Sequence, residues 1–168
     1  MTIGDFDRMP PEKFKAQLYK CCGSNAWVEK MMSVLPFEDM IDLFQYAEEK
    51  WNECSEADWR EAFAQHPQIG NTSDLKTGED TESWAREEQA GVNDAGEDLK
   101  NKLANANKEY IEKFGYQFII NATGKSADEL FTALEQRLQN SPEVEMDIAM
   151  SEQLGITRIR LEKLLQEG

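Results

Sequence analysis

Apolar residues recur at intervals of three and four along almost the whole chain, the spacing that lines one side of a helix. "PPEKFKAQLYKCCG" sets Phe14, Leu18 and Cys21 at that spacing, with proline at the helix start and Gly23 as its stop. "SNAWVEKMMSVLP" predicts a short helix from a Ser/Asn cap to Pro36, and "FEDMIDLFQYAEEKWNEC" puts Met40, Leu43, Phe44, Ala47 and Trp51 on one face. "SEADWREAFAQH" opens with a capping box at Ser55 and Asp58 and carries Trp59 and Phe63 four residues apart. That helix delivers His66 at or just past its end.

"PQIGNTSDLKTGED" is the longest stretch without periodicity, and loops of that length in compact domains are commonly functional. A short helix resumes in "TESWAREEQAGV". "DAGEDLKNKLANANKEYIEKFG" predicts another, from an Asp-x-x-Glu box at Asp94 and Glu97 to a stop near Gly115. "YQFIINATG" has strand-like residues but no evident pairing partner, so an extended or broken segment between helices is expected. "KSADELFTALEQRLQN" is capped by Ser126 with Glu129, and the last helix starts with Ser141 as cap and Pro142 at its first position. The expectation is a single all-α, compact multi-helix domain over residues 1–168.

Composition narrows the partners. The chain carries 33 acidic against 18 basic residues, a net charge of −15. Nucleic-acid binders draw affinity from neutralising phosphates, so none is expected here, and an anionic membrane surface is disfavoured for the same reason. A small anionic substrate stays possible, because a few local groups override a global field. Cys21, Cys22 and Cys54 lack metal-ligand spacing with the sole histidine and read as buried thiols in a reducing compartment. The N-terminus shows no secretory pattern and no apolar run nears the ~20 residues of a membrane span, so a cytoplasmic location is expected. No phosphate loop, nucleophile elbow or HExxH motif occurs. Neither a metal nor a cofactor is expected.

Four stretches carry candidate chemistry. Histidine as a residue type is the side chain best placed to move a proton near neutrality, and Pro67 biases His66 away from helical geometry at the helix exit. Gly70 permits a tight turn beside it. The alternative is that His66 merely terminates the helix, where a cation suits the dipole. In "REEQAG", Glu88 and Gln89 pair a carboxylate acceptor with an amide that donates and accepts, a set suited to a urea- or imide-like ring. Glu87 beside them reads as a solvated face. "KFGYQFIINATGKS" implies buried non-helical backbone whose N–H and C=O groups need partners, from a planar ligand or from protein. In "TRIRLEKLL", Arg158 and Arg160 could grip a carboxylate or pair with surface glutamates. The tryptophans at 27, 51, 59 and 84 and the Met31–Met32 pair read as core.

Taken in order, "HPQIG", "SWAREEQAGV", "NKEYIEKFGYQFIINATGKS" and "ITRIRLEKL" resemble the OHCU decarboxylase family, enzymes of urate breakdown acting on 2-oxo-4-hydroxy-4-carboxy-5-ureidoimidazoline. The likeness runs from "MPPEKF" to the final helix. It implies an all-α, dimeric, cofactor-independent enzyme that converts this small molecule (OHCU) to (S)-allantoin and carbon dioxide. By the resemblance His66 and Glu88 are catalytic, and Pro67 lines the pocket. Substrate contacts fall to Ala85, Arg86, Glu87 and Gln89, to Phe118, Ile119, Ile120, Asn121 and Ala122, and to Arg160. Two positions depart from the family pattern: Ala85, where many members carry serine, and Asn121, where cysteine is typical. Two other readings are an enzyme acting on a related ureido or imidazoline compound, and a non-catalytic helical interaction protein. The 71–83 stretch is expected to help cover the site.

Overall fold

A computed structural model describes residues 1–69, 79–93 and 95–166. The described residues form helices and no strand: α1 (Ile3–Arg8), α2 (Pro11–Cys21), α3 (Asn25–Met32), α4 (Met40–Asn52), α5 (Glu56–Ala64), α6 (Glu79–Glu88), α7 (Ala90–Asn93), α8 (Glu97–Phe114), α9 (Ala127–Arg137) and α10 (Pro142–Gln166). The chain divides into two compact units, Met1–Ala62 with Gln153–Gly168, and Phe63–Glu152.

The first unit has an apolar core of Phe14, Leu18, Trp27, Met31, Leu43 and Trp51, with Phe6 stacked on Phe14 at 4.6 Å between ring centres. Its helix ends are closed by side chains. The Ser24 hydroxyl accepts from the Trp27 N–H (3.3 Å), and the Glu61 carboxylate takes the Asn25 N–H (3.0 Å). At the last turn of α4, the Trp51 carbonyl accepts from Trp59 Nε1 (2.9 Å). Cys21, Cys22 and Cys54 are buried thiols. Burial pushes Cys54 up to about 11 and Cys22 higher still, so both pack as neutral, apolar groups near pH 7.

The structure departs from the sequence reading at three points here. Met40 is 43% exposed and lies off the buried stripe, which narrows to Leu43, Ala47 and Trp51. Phe44 is half-buried, with the Arg158 guanidinium 4.9 Å from its ring centre. Helix α1 was not expected: six residues offer no periodicity, and its only signal is Thr2, whose N–H donates to Asp5 Oδ2 (2.7 Å).

In the second unit, α8 buries Leu103, Ala106, Asn107, Tyr110 and Phe114, a helical stripe that includes one amide. Gly96 is its N-cap, so the helix begins at Glu97 and not at an Asp94 box; Asp94 itself lies outside the described residues. Gly115, at φ +83°, ends α8 with its N–H on the Ile111 carbonyl (2.8 Å). This left-handed conformation favours glycine and turns the chain into an extended run. Residues 117–122 have no helical or strand pairing. A turn through Gly124 (φ +76°) leads to α9, whose first turn is capped by the Ser126 hydroxyl accepting from Glu129 N–H (3.2 Å). The expected broken segment is present.

Candidate functional site

Three stretches of the second unit carry candidate residues, the last of them the non-helical run. The first carries His66. Beyond the end of α5, the His66 N–H reaches back to the Phe63 carbonyl (3.3 Å), leaving the imidazole half-buried and followed by half-buried Pro67. Phe63 packs its ring on Tyr116, 5.3 Å between centres. Three residues past His66, the buried Ile69 carbonyl accepts from Asn107 Nδ2 at 2.9 Å. The histidine is thus bracketed by two anchors, one apolar and one polar.

The second stretch is α6 and its exit. Trp84, Ala85, Glu88, Gln89 and Val92 are buried, while Arg86 and Glu87 are exposed. Spacings of one, four, five and eight from Trp84 mark one face of a helix. Glu88 and Gln89 therefore lie on the core side, at 8% and 4% exposure, and Glu87 on the solvent side. The helix breaks at Gln89, and α7 starts one residue later. There Gly91 sits against the Lys125 carbonyl so closely that an added Cβ would stand 2.2 Å from its oxygen. Only glycine lets α7 approach the 122–126 turn this way.

The third is the non-helical run itself. Phe118, Ile119, Ile120 and Ala122 are buried and Asn121 half-buried. Its carbonyls find side-chain donors: Arg137 Nη1 on Ile119 O (2.6 Å) and Lys125 Nζ on Asn121 O (3.0 Å). Asn121 Oδ1 accepts from the Thr123 N–H at 3.4 Å, closing a local turn. The amide oxygen of Gln117 is buried with no hydrogen-bond partner among the described residues.

Of the residues singled out from sequence, those at 66–67, 88–89 and 118–122 thus belong to stretches joined through Phe63–Tyr116 and Gly91–Lys125. Arg160 belongs to the first unit, where it is buried and donates Nη1 to the Lys20 carbonyl (3.0 Å). Gly70 and most of the 71–83 stretch lie outside the described residues. Sequence reading missed Asn107, Tyr110, Arg137 and Glu145, all buried. Among the described residues no group of three or more His, Cys, Asp or Glu is arranged to hold a metal ion.

The OHCU decarboxylase family model matches residues 7–162. The chain belongs to the OHCU decarboxylase family. Among its relatives, the uric acid degradation bifunctional protein TTL of Arabidopsis thaliana is 35% identical over 88% of this chain. The chain spans 46% of that protein, less than half its length. A 2-oxo-4-hydroxy-4-carboxy-5-ureidoimidazoline decarboxylase of Halalkalicoccus jeotgali is 25% identical, covering 98% of this chain and 92% of its own. A crystal structure of OHCU decarboxylase in the presence of (S)-allantoin aligns with a TM-score of 0.77 and 34% identity, covering 89% of this chain and 98% of that one. An (S)-allantoin synthase, 16% identical with a TM-score of 0.70, shares the fold. No helix among the described residues is long and apolar enough to cross a membrane.

Proposed function

We propose that this chain decarboxylates 2-oxo-4-hydroxy-4-carboxy-5-ureidoimidazoline to (S)-allantoin and carbon dioxide in urate breakdown. It works as one domain over residues 1–168, as a homodimer in the cytoplasm, without a cofactor. The observation that carries the reading is the burial of Glu88, the last residue of α6, and of Gln89 next to it, two residues before Gly91 meets the Lys125 carbonyl. Two adjacent polar side chains buried beside non-helical backbone suit a planar ring rich in N–H and C=O groups.

In this reaction the bond from the ring carbon to the carboxylate breaks. Its electron pair passes into the conjugated system of the ring, so the substrate supplies its own electron sink. The protein must orient the carboxylate, stabilise the developing charge and return a proton to one face. His66 moves that proton, held at the α5 exit by Phe63 on one side and Ile69 on the other. Glu88 accepts from ring N–H groups and Gln89 binds the ureido end. Pro67 and the small Ala85 line the pocket, and the backbone of Phe118, Ile119, Ile120, Asn121 and Ala122 meets the ring edge. Arg86 and Glu87, both exposed, contribute further substrate contacts.

The test follows freshly generated OHCU by circular dichroism with wild type and His66→Asn in parallel. Rapid formation of (S)-allantoin by the wild type, slowed ~100- to 10,000-fold in a mutant with an intact helical spectrum, is the expected result. Decay at the spontaneous rate to racemic product with both proteins overturns the proposal and turns the search to related ureido compounds.

A further inference from the structure

We propose that Arg137 is a positioning residue for the decarboxylation, holding the Ile119 carbonyl so that residues 118–122 keep the shape the substrate meets. The inference rests on reading that segment as part of the substrate site. At the end of α9, Arg137 is buried and its guanidinium is used on several sides. Nε donates to both oxygens of Glu145 (3.1 and 2.9 Å), and Nη2 donates to Glu145 Oε2 (2.7 Å). Nη1 points the other way, to the Ile119 carbonyl at 2.6 Å. The central carbon lies 4.4 Å from the centre of the Phe118 ring, stacking the plane on the neighbouring side chain. Glu145, fully buried, is held in turn by the Tyr110 hydroxyl (2.5 Å) and by Asn140 Nδ2 (3.3 Å). Tyr110 closes the circle with edge-on contacts to Tyr116 and Phe118, 5.8 and 5.3 Å between centres.

A buried ion pair is a poor device for joining two helices. Removing both charges from water costs more than their attraction commonly returns, and apolar replacements are often as stable or more so. What apolar groups cannot do is satisfy a carbonyl in the middle of a run that has no helical or strand partner. Arginine can, because its fork is rigid: with the Nε–Nη2 edge fixed on Glu145, the plane is set and Nη1 is held towards Ile119. Lysine has one compact ammonium and no plane to lay on Phe118. The pair therefore makes sense as a means of shaping residues 118–120, with its desolvation cost accepted for that purpose.

Two variants separate shaping from simple stability. The triple change Tyr110→Phe, Arg137→Met, Glu145→Leu replaces the network with apolar groups. Arg137→Lys keeps a cation beside Glu145 but loses the reach to Ile119. Each is measured for thermal midpoint, for kcat and KM on OHCU, and for the carbonyl ¹³C resonance of Ile119. The expected result is a folded triple variant whose midpoint drops only modestly, for the lost donor to Ile119, while its kcat/KM falls roughly 10- to 100-fold. Arg137→Lys is expected to show the same loss and an upfield shift at Ile119. Wild-type kcat/KM in either folded variant overturns the inference, and so does an unmoved Ile119 resonance in Arg137→Lys. Should the triple variant not fold, Arg137→Lys decides alone. If the wild type itself leaves OHCU untouched, the proposed reaction fails, while the Ile119 resonance still reports whether Arg137 shapes the segment.

Discussion

The two units use buried polar groups for different ends. In the first, they serve helices: Ser24 caps α3, Arg160 takes the Lys20 carbonyl in the last turn of α2, and Gln153 bonds Thr157 one turn along α10 (3.1 Å). In the second, Asn107 and Arg137 donate to Ile69 and Ile119, carbonyls in backbone that is not helical at all. A helix satisfies its own interior backbone and leaves only its ends to side chains. A chain that crosses a core without helix or ladder needs a donor at each buried carbonyl. Such donors are costly to bury, so they accumulate where an irregular backbone is worth keeping. In this molecule those places flank His66 and run through 118–122.

The contrast breaks most severely at Glu145. Glu145→Leu alone leaves Arg137 buried beside no carboxylate and Tyr110 without its acceptor. A loss of about 3–5 kcal/mol is expected in denaturant unfolding, larger than that from replacing the whole network. Equal stability of the single and triple variants would mean that charge pairing contributes nothing to the single change. Gly91→Ala comes next. Its Cβ must displace the Lys125 backbone, which an end of a flexible side chain could avoid but a carbonyl cannot. The expected cost is about 1–3 kcal/mol, with KM for OHCU raised because Gln89 and the 122–126 turn move apart. A variant as stable and active as wild type would show the close approach to be relaxed in solution.

The same contrast explains what could be read in advance. Most helices announce themselves by local rules: Ser55 with Asp58, Ser126 with Glu129, Pro142 after Ser141, and Gly115 at a helix stop all act where the sequence puts them. Local rules also separate Glu88 from Glu87, since counting from Trp84 puts only the former on the buried face. They misled at Asp94, where Gly96 caps α8 without a side-chain bond, and at Met40, where the stripe had already ended. Arg137 and Glu145 were out of reach for another reason. They sit on successive helices, and their pairing depends on how α9 turns into α10 and on where Ile119 falls, neither of which is a periodic signal. Asn107 was legible in principle, as an amide interrupting the stripe Leu103, Ala106, Tyr110, Phe114.

Asn107→Leu sharpens the comparison on the His66 side. Leucine fills the space and fits the stripe, but the buried Ile69 carbonyl loses its donor, a cost of about 1–3 kcal/mol. Turnover is expected to fall about tenfold, because a backbone anchor three residues from the proton carrier is lost. Loss of stability with kcat unchanged would confine Asn107 to folding.

Ser24→Ala is the matched change in the first unit. It removes the hydroxyl that accepts from Trp27 and is expected to cost about 1 kcal/mol, as lost N-caps commonly do. Here kcat and KM should both stay at wild-type values, since the hydroxyl supports a helix end and no irregular backbone. The pair is decisive because the two stability losses are of similar size. If Ser24→Ala lowers turnover as much as Asn107→Leu does, activity follows global stability, and the division of labour between the two kinds of buried polar group collapses. If only Asn107→Leu lowers it, the donor to Ile69 acts on the site through the backbone that carries His66.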